Sequence, residues 1–172
     1  MIERADSLNN QAIILASDGA YNEAIACFKR AIVIDKGNYL LWFNLGVTYR
    51  DAGNLTDAEN SLEMAFRIAP EKEDVGETYA TICLMQKKFS KVQQICMETL
   101  DFNPINPHLW NLLGVTEFQQ ENYIEASNFF EQAVSINPYY MDALYNLRDT
   151  YSVLQNKKGE AACDARIKEL EK

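Results

Sequence analysis

One histidine, His108, in 172 residues removes most metal and acid–base chemistry at the outset. A HExxH pair or a multi-histidine metal centre needs more than one imidazole. Cysteine is sparse as well: Cys27, Cys83, Cys96 and Cys163 are separated by 56, 13 and 67 residues, so no CxxC-type zinc pair exists. Isolated thiols of this kind are expected as small buried side chains in a reducing compartment. The seven glycines form neither G-x-G-x-x-G nor a P-loop. No nucleophile-like context brackets His108. The chain therefore gives no positive sign of an enzyme, a metal site or a cofactor. No apolar stretch approaches the length of a membrane span, and no charged-then-apolar leader opens the chain. The opening Met-Ile-Glu-Arg-Ala-Asp reads as a cytoplasmic protein, or as a domain excised from a longer one.

Positive charge is also short. Sixteen Lys and Arg face 25 Asp and Glu, giving a net charge of −9. Residues 107–140 hold Glu117, Glu121, Glu125 and Glu131 and no Lys or Arg. An acidic surface of this kind excludes the phosphate neutralisation that nucleic-acid binding requires. It favours basic partners.

What the chain does have is a period. Trp42 and Trp110 lie 68 residues apart, as do Leu45-Gly46 and Leu113-Gly114, Ala58 and Ala126, Ala65 and Ala133, and Pro70 and Pro138. Frames of 34 residues open at Ala5, Tyr39, Glu73, Pro107 and Met141 without insertion or deletion. A strict period of this length predicts a stack of like supersecondary units. Within each frame apolar residues recur three and four apart, as in Ile25, Phe28 and Ile32, which is helical spacing. Two helices per frame meet at Asp18-Gly19-Ala20, Ala52-Gly53-Asn54 and Glu121-Asn122. Glycine suits a left-handed residue past a helix end, and Asn54 with Asp57 and Asn122 with Glu125 read as N-caps. First helices are expected over roughly 5–17, 39–51, 73–86, 107–120 and 141–154. Trp42 and Trp110 are expected to fill the space between helices. Glu117, where the period calls for tyrosine, either reaches the edge or pairs with a neighbour.

The second frame reads Trp42, Leu45, Gly46, Tyr49, Ala58, Leu62, Ala65, Pro70, and the fourth Trp110, Leu113, Gly114, Glu117, Ala126, Phe130, Ala133, Pro138. This resembles the tetratricopeptide repeat, W-x2-L-G-x2-Y followed by A-x3-F and P. The resemblance covers repeats 5–38, 39–72, 73–106 and 107–140, with a degenerate fifth repeat and cap at 141–172. It implies one all-α, right-handed solenoid of stacked antiparallel helix pairs. It also implies that first helices line a concave groove, placing Asn10, Phe43, Asn44, Val47, Asp74, Thr78, His108, Asn111, Phe118, Tyr145 and Asn146 on its wall. The expected partner is a protein or peptide segment, basic or apolar in character, and the expected function a non-catalytic interaction module. The alternatives are a regulatory or targeting segment of a larger enzyme such as a glycosyltransferase, or a small acidic export chaperone.

One family binding mode is excluded residue by residue. Members that grip a C-terminal carboxylate use a basic pair on the third repeat of the site. Starting from the first repeat, the matching residues here are Asn9, Ile13, Asn44, Asp74 and Thr78. An acidic pentapeptide chaperone tail is accordingly expected to show no micromolar binding, because Asp74 repels it. Isothermal calorimetry with that peptide checks this, and a micromolar heat signal lost on mutating the groove would refute it.

Overall fold

In the computed structural model, residues 4–172 are described; among them are ten helices and no strand. The chain packs as two compact units, Met1–Lys87 and Lys88–Lys172, with the division inside the third frame. The first unit holds α1 (Ala5–Ser17), α2 (Tyr21–Ile34), α3 (Tyr39–Asp51), α4 (Leu55–Ile68) and α5 (Glu73–Met85). The second holds α6 (Phe89–Phe102), α7 (Pro107–Gln119), α8 (Tyr123–Ile136), α9 (Met141–Val153) and α10 (Lys157–Leu170). The observed first helices match the expected ones to within a residue at each end.

In each unit a helix packs on the next one in the chain, and first helices also touch across repeats: α1 with α3, α3 with α5, and α7 with α9. Three-residue turns leave no room for any arrangement but antiparallel pairs. The turns share a left-handed residue at one column of the period. Gly19 (φ 77°) and Gly53 (φ 80°) occupy it without strain, whereas Lys87 (φ 56°), Glu121 (φ 66°) and Gln155 (φ 57°) adopt it as non-glycine residues.

Capping holds at one expected site and fails at the other. Asn54 Oδ1 accepts from Asp57 N at 3.2 Å while its Nδ2 donates to Asp57 Oδ2 at 2.7 Å. Asn122 caps nothing; its Nδ2 donates instead to Glu117 Oε2 at 2.8 Å. The physical reason is that Glu117 is only 6% exposed, and a buried carboxylate needs charge-assisted donors more than a helix start needs a cap. Gln93 Nε2 supplies a second donor, to Glu117 Oε1. Glu117 therefore pairs with neighbours and does not reach the edge.

The two glycines of the repeat signature set the helix spacing. A Cβ on Gly46 would meet Leu62 Cγ at 2.7 Å and the Ala58 carbonyl at 3.2 Å. A Cβ on Gly114 would meet two ring carbons of Phe130 at 2.5 Å. Ala58, Leu62, Ala126 and Phe130 are all buried, so nothing there yields cheaply. The tryptophans are half-buried, not enclosed. Trp42 Nε1 donates to the Lys36 carbonyl and Trp110 Nε1 to the Pro104 carbonyl, both at 2.9 Å, so each indole ties a helix to the turn before it. The four cysteines are buried free thiols.

The last frame departs from the pattern. Arg148 stands where the earlier frames have a small residue, and its guanidinium bonds Asp149 at 2.7 Å and lies over the Tyr145 ring at 5.0 Å. The closing helix buries only Cys163 and Ile167, leaving a polar outer face as an end cap requires. It begins at Lys157, where Asn156 Oδ1 accepts from Gly159 N at 3.1 Å.

Gly114→Leu is expected to destabilise the chain by about 1–3 kcal/mol through overpacking against Phe130. Gly37→Ala, where an added Cβ meets nothing within 4 Å, is expected to stay within about 0.5 kcal/mol of wild type. Chemical denaturation of both variants decides it, and equal midpoints would refute the close-approach account.

Candidate functional site

In the first unit the candidate site lies on α1, α3 and α5. Asn44, at frame position six of α3, donates its Nδ2 to Asn9 Oδ1 on α1 at 3.0 Å. The bond spans 35 residues and joins neighbouring first helices. It uses one of the two amide hydrogens of Asn44. Beside it lies a cleft of about 230 Å³ whose wall includes Ile13, Ala16, Phe28, Val47 and Asp51. Ile13 is 43% exposed, so the cleft offers apolar surface to solvent. Phe43, Val47 and Thr78 are half-buried, and Asn10 and Asp74 are exposed. Thr78 shows no amide-like pairing comparable to Asn44.

In the second unit the same arrangement recurs on α7 and α9, 102 residues further on. Asn146 Nδ2 donates to Asn111 Oδ1 at 2.9 Å. A cleft of about 160 Å³ again adjoins the pair, walled by Val115, Phe118, Gln119, Phe130 and Asp149. Column by column, Val115 stands for Ile13, Phe118 for Ala16 and Phe130 for Phe28. The larger Phe118 accounts for the smaller cleft, and its ring is held edge-on by Tyr123 at 5.2 Å.

The second unit adds a polar network that the first lacks. Asn111 Nδ2 donates to the Tyr140 hydroxyl at 3.4 Å, and His108 Nδ1 lies 3.1 Å from the same oxygen. The two rings meet edge-on with centroids 4.7 Å apart. His108 is thus a positioned neighbour of Asn111 through the shared Tyr140 hydroxyl. Tyr145 is drawn away to the end of the closing helix: its hydroxyl donates to Glu171 Oε1 at 2.6 Å. That hydrogen bond raises the Tyr145 pKa above the ordinary tyrosine value.

The structure thus joins Asn44 to Asn9 beside Val47, and groups His108, Asn111 and Asn146, with Phe118 at the adjoining cleft. Asn10, Phe43, Asp74, Thr78 and Tyr145 have no part in either amide pair. Sequence reasoning set Asn9 at a groove position without counting it in the candidate wall, and it missed Tyr140. The recurring 35-residue spacing of Asn9 to Asn44 and Asn111 to Asn146 carried the first signal; for Tyr140, outside the first helices, there was none.

A TPR repeat model matches residues 14–53, and two tetratricopeptide repeat models match 44–69 and 107–140. The chain belongs to the tetratricopeptide-repeat family. Its fold is the all-α solenoid of paired helices that the period predicts. Solved structures agree. MamA from Desulfovibrio magneticus RS-1 superposes with a TM-score of 0.85 at 16% identity, covering 97% of this chain and 94% of that one. YrrB, described as a TPR protein with an unusual peptide-binding site, gives 0.75 at 18% identity, covering 95% of this chain and 84% of its own. At these identities the likeness concerns the fold alone. Among curated relatives, the uncharacterized protein ycf37 of Pyropia yezoensis is 35% identical over 101 residues, 53% of this tetratricopeptide-repeat chain and 57% of that protein. The cytochrome c-type biogenesis protein CycH of Pseudomonas aeruginosa is 25% identical over 119 residues, 67% of this chain and 29% of its own length. The match therefore spans little more than half of the first relative and under a third of the second. Among the described residues no helix is long and apolar enough to cross a membrane.

A double-mutant cycle on Asn9 and Asn44 is expected to show a coupling of about 0.5–1.5 kcal/mol in stability. Additive effects of Asn9→Ala and Asn44→Ala would show that the pair carries no energy.

Proposed function

We propose that this chain is a non-catalytic interaction module that binds an extended peptide segment of a partner protein on the first-helix faces of its repeats. The observation that carries the reading is the duplicated arrangement of an asparagine pair beside an apolar cleft, once on α1 and α3 and again on α7 and α9. Each amide offers a donor and an acceptor in reach of a peptide backbone, and each cleft offers room for one side chain. Asp74 and Asp142, both exposed on first helices, bias the segment toward basic residues. The groove is a candidate only through these residues; Asn10, Phe43, Thr78 and Tyr145 contribute area, not polar recognition. Four buried free thiols support a cytoplasmic setting.

A second reading has its own observation. The repeats match only 29% of CycH and 20% of anaphase-promoting complex subunit 3 from Schizosaccharomyces pombe, both larger proteins. On that reading the chain is the partner-recruiting part of a longer assembly component, and binding chemistry at the amide pairs is unchanged.

Affinity capture followed by mass spectrometry identifies a partner, and a peptide from it then tests the surface. Asn44→Ala or Asn146→Ala, in whichever unit the peptide occupies, is expected to weaken it by about 0.5–1.5 kcal/mol, while Arg67→Ala on α4 leaves it unchanged. Asparagine variants that bind like wild type while Arg67→Ala disrupts the complex would move the binding surface off the first helices.

A further inference from the structure

Repeats 2 and 4 carry the same tryptophan and cover it differently. In repeat 4 the Phe129 ring stacks on Trp110, with centroids 5.9 Å apart and planes 27° apart. The residue 68 positions before Phe129 is Ser61, a small side chain whose Oγ turns back to the Asp57 carbonyl at 2.8 Å. Where repeat 4 supplies its own ring, the first unit has a cavity of about 420 Å³ on the α2 and α4 side of Trp42. Ile32, Val33, Leu45 and Tyr49 share its wall with Trp42 and Ser61. Val33 on the rim is 85% exposed, and its counterpart in the second unit is Asp101. The rim of the first-unit notch is thus apolar where the corresponding position in the second unit is charged. Trp42 cannot swing out to close the space without losing its hydrogen bond to the Lys36 carbonyl.

The charges at the notch balance. Lys29 holds its ammonium 5.7 Å from the Tyr49 ring centroid, at the edge of the notch. Asp57, the other charged lining residue, accepts from Asn54 Nδ2 at 2.7 Å and keeps its negative charge, which acts on Lys29. The notch therefore presents an indole face and an apolar rim, with no net charge, to an incoming chain.

The geometry points to this notch as a docking site for a partner protein's phenylalanine flanked by uncharged residues. The ring takes against Trp42 the place that Phe129 takes against Trp110. Offset-stacked rings add a geometric preference to the area they bury, which favours an aromatic over an aliphatic anchor. The site does not rest on the first-helix peptide reading, since no first-helix amide pair lines it.

The test uses the full chain labelled with nitrogen-15, in which Trp42 and Trp110 supply the only indole N–H signals. The probe is the blocked peptide acetyl-Gly-Phe-Gly-amide, with acetyl-Gly-Ala-Gly-amide as control. The Trp42 signal is expected to move saturably while the Trp110 signal stays put, with the alanine peptide at least about tenfold weaker. Ser61→Phe, which installs the ring that repeat 4 carries, is expected to abolish the shift. Asn44→Ala is expected to leave it intact, so that failure here and failure of the first-helix reading are told apart. If Ser61→Phe does not fold, Val33→Asp replaces it, expected to weaken the phenylalanine peptide several-fold. A Trp42 signal that does not move at millimolar peptide, or that moves equally in the folded Ser61→Phe variant, would overturn the assignment.

Discussion

Close approach of two helix backbones within each hairpin is the constraint on which the rest depends. Gly46 and Gly114 have no room for a Cβ, because Leu62 and Phe130 already occupy that space. With the backbones this near, small residues at Ala58 and Ala126 are needed on the facing helix, and both are fully buried. The bulky side chains that cannot fit inside the hairpin are pushed to its edges, where they meet the next repeat. Stacking follows from that displacement, since an edge of exposed leucine and tyrosine is buried only by another copy of the unit. Arg148 ends the series for the same reason. A guanidinium in the small-residue column turns to Asp149 and solvent, and the closing pair packs with a polar face outward.

Burying polar groups at the seams gives the stack its register. Glu59 is 5% exposed and receives Gln86 Nε2 at 2.8 Å; Glu117 is held by Gln93 and Asn122. Among the described residues no buried side-chain nitrogen or oxygen lacks a hydrogen-bond partner. A buried carboxylate left with one donor fewer would cost more than the bond itself is worth, so these contacts penalise any slip between neighbours. The Asn9–Asn44 and Asn111–Asn146 bonds are register marks as well, fixing where one first helix sits on the next.

The helices and their limits were legible because each repeat repeats its own punctuation. Apolar spacing, glycine at 19 and 53, and proline at 70, 107 and 138 are local signals, and local signals fix local structure. The candidate site was legible only as columns. The period placed Asn44 and Asn146 on one face, yet it was silent on which amides would bond. Asn122 shows why: its local context reads as a cap, and a buried carboxylate five residues earlier in the chain outbids the helix start. Trp42 shows the converse. Its side chain is identical to Trp110, and only the partner at position 61 or 129 decides whether the indole is covered.

The sequence by itself determined the class of the molecule. It set a repeated helical hairpin, an acidic balance, and the spacing of a single histidine and four separated cysteines. Those properties are carried by composition and spacing, which do not depend on where distant residues end up. Tertiary structure alone decided which polar groups pair, which clefts stay open and which tryptophan carries a stacked ring. Most of these depend on contacts between residues 19 to 35 positions apart, such as Trp110 with Phe129 and Asn111 with Asn146, and such contacts exist only once neighbouring helices have packed.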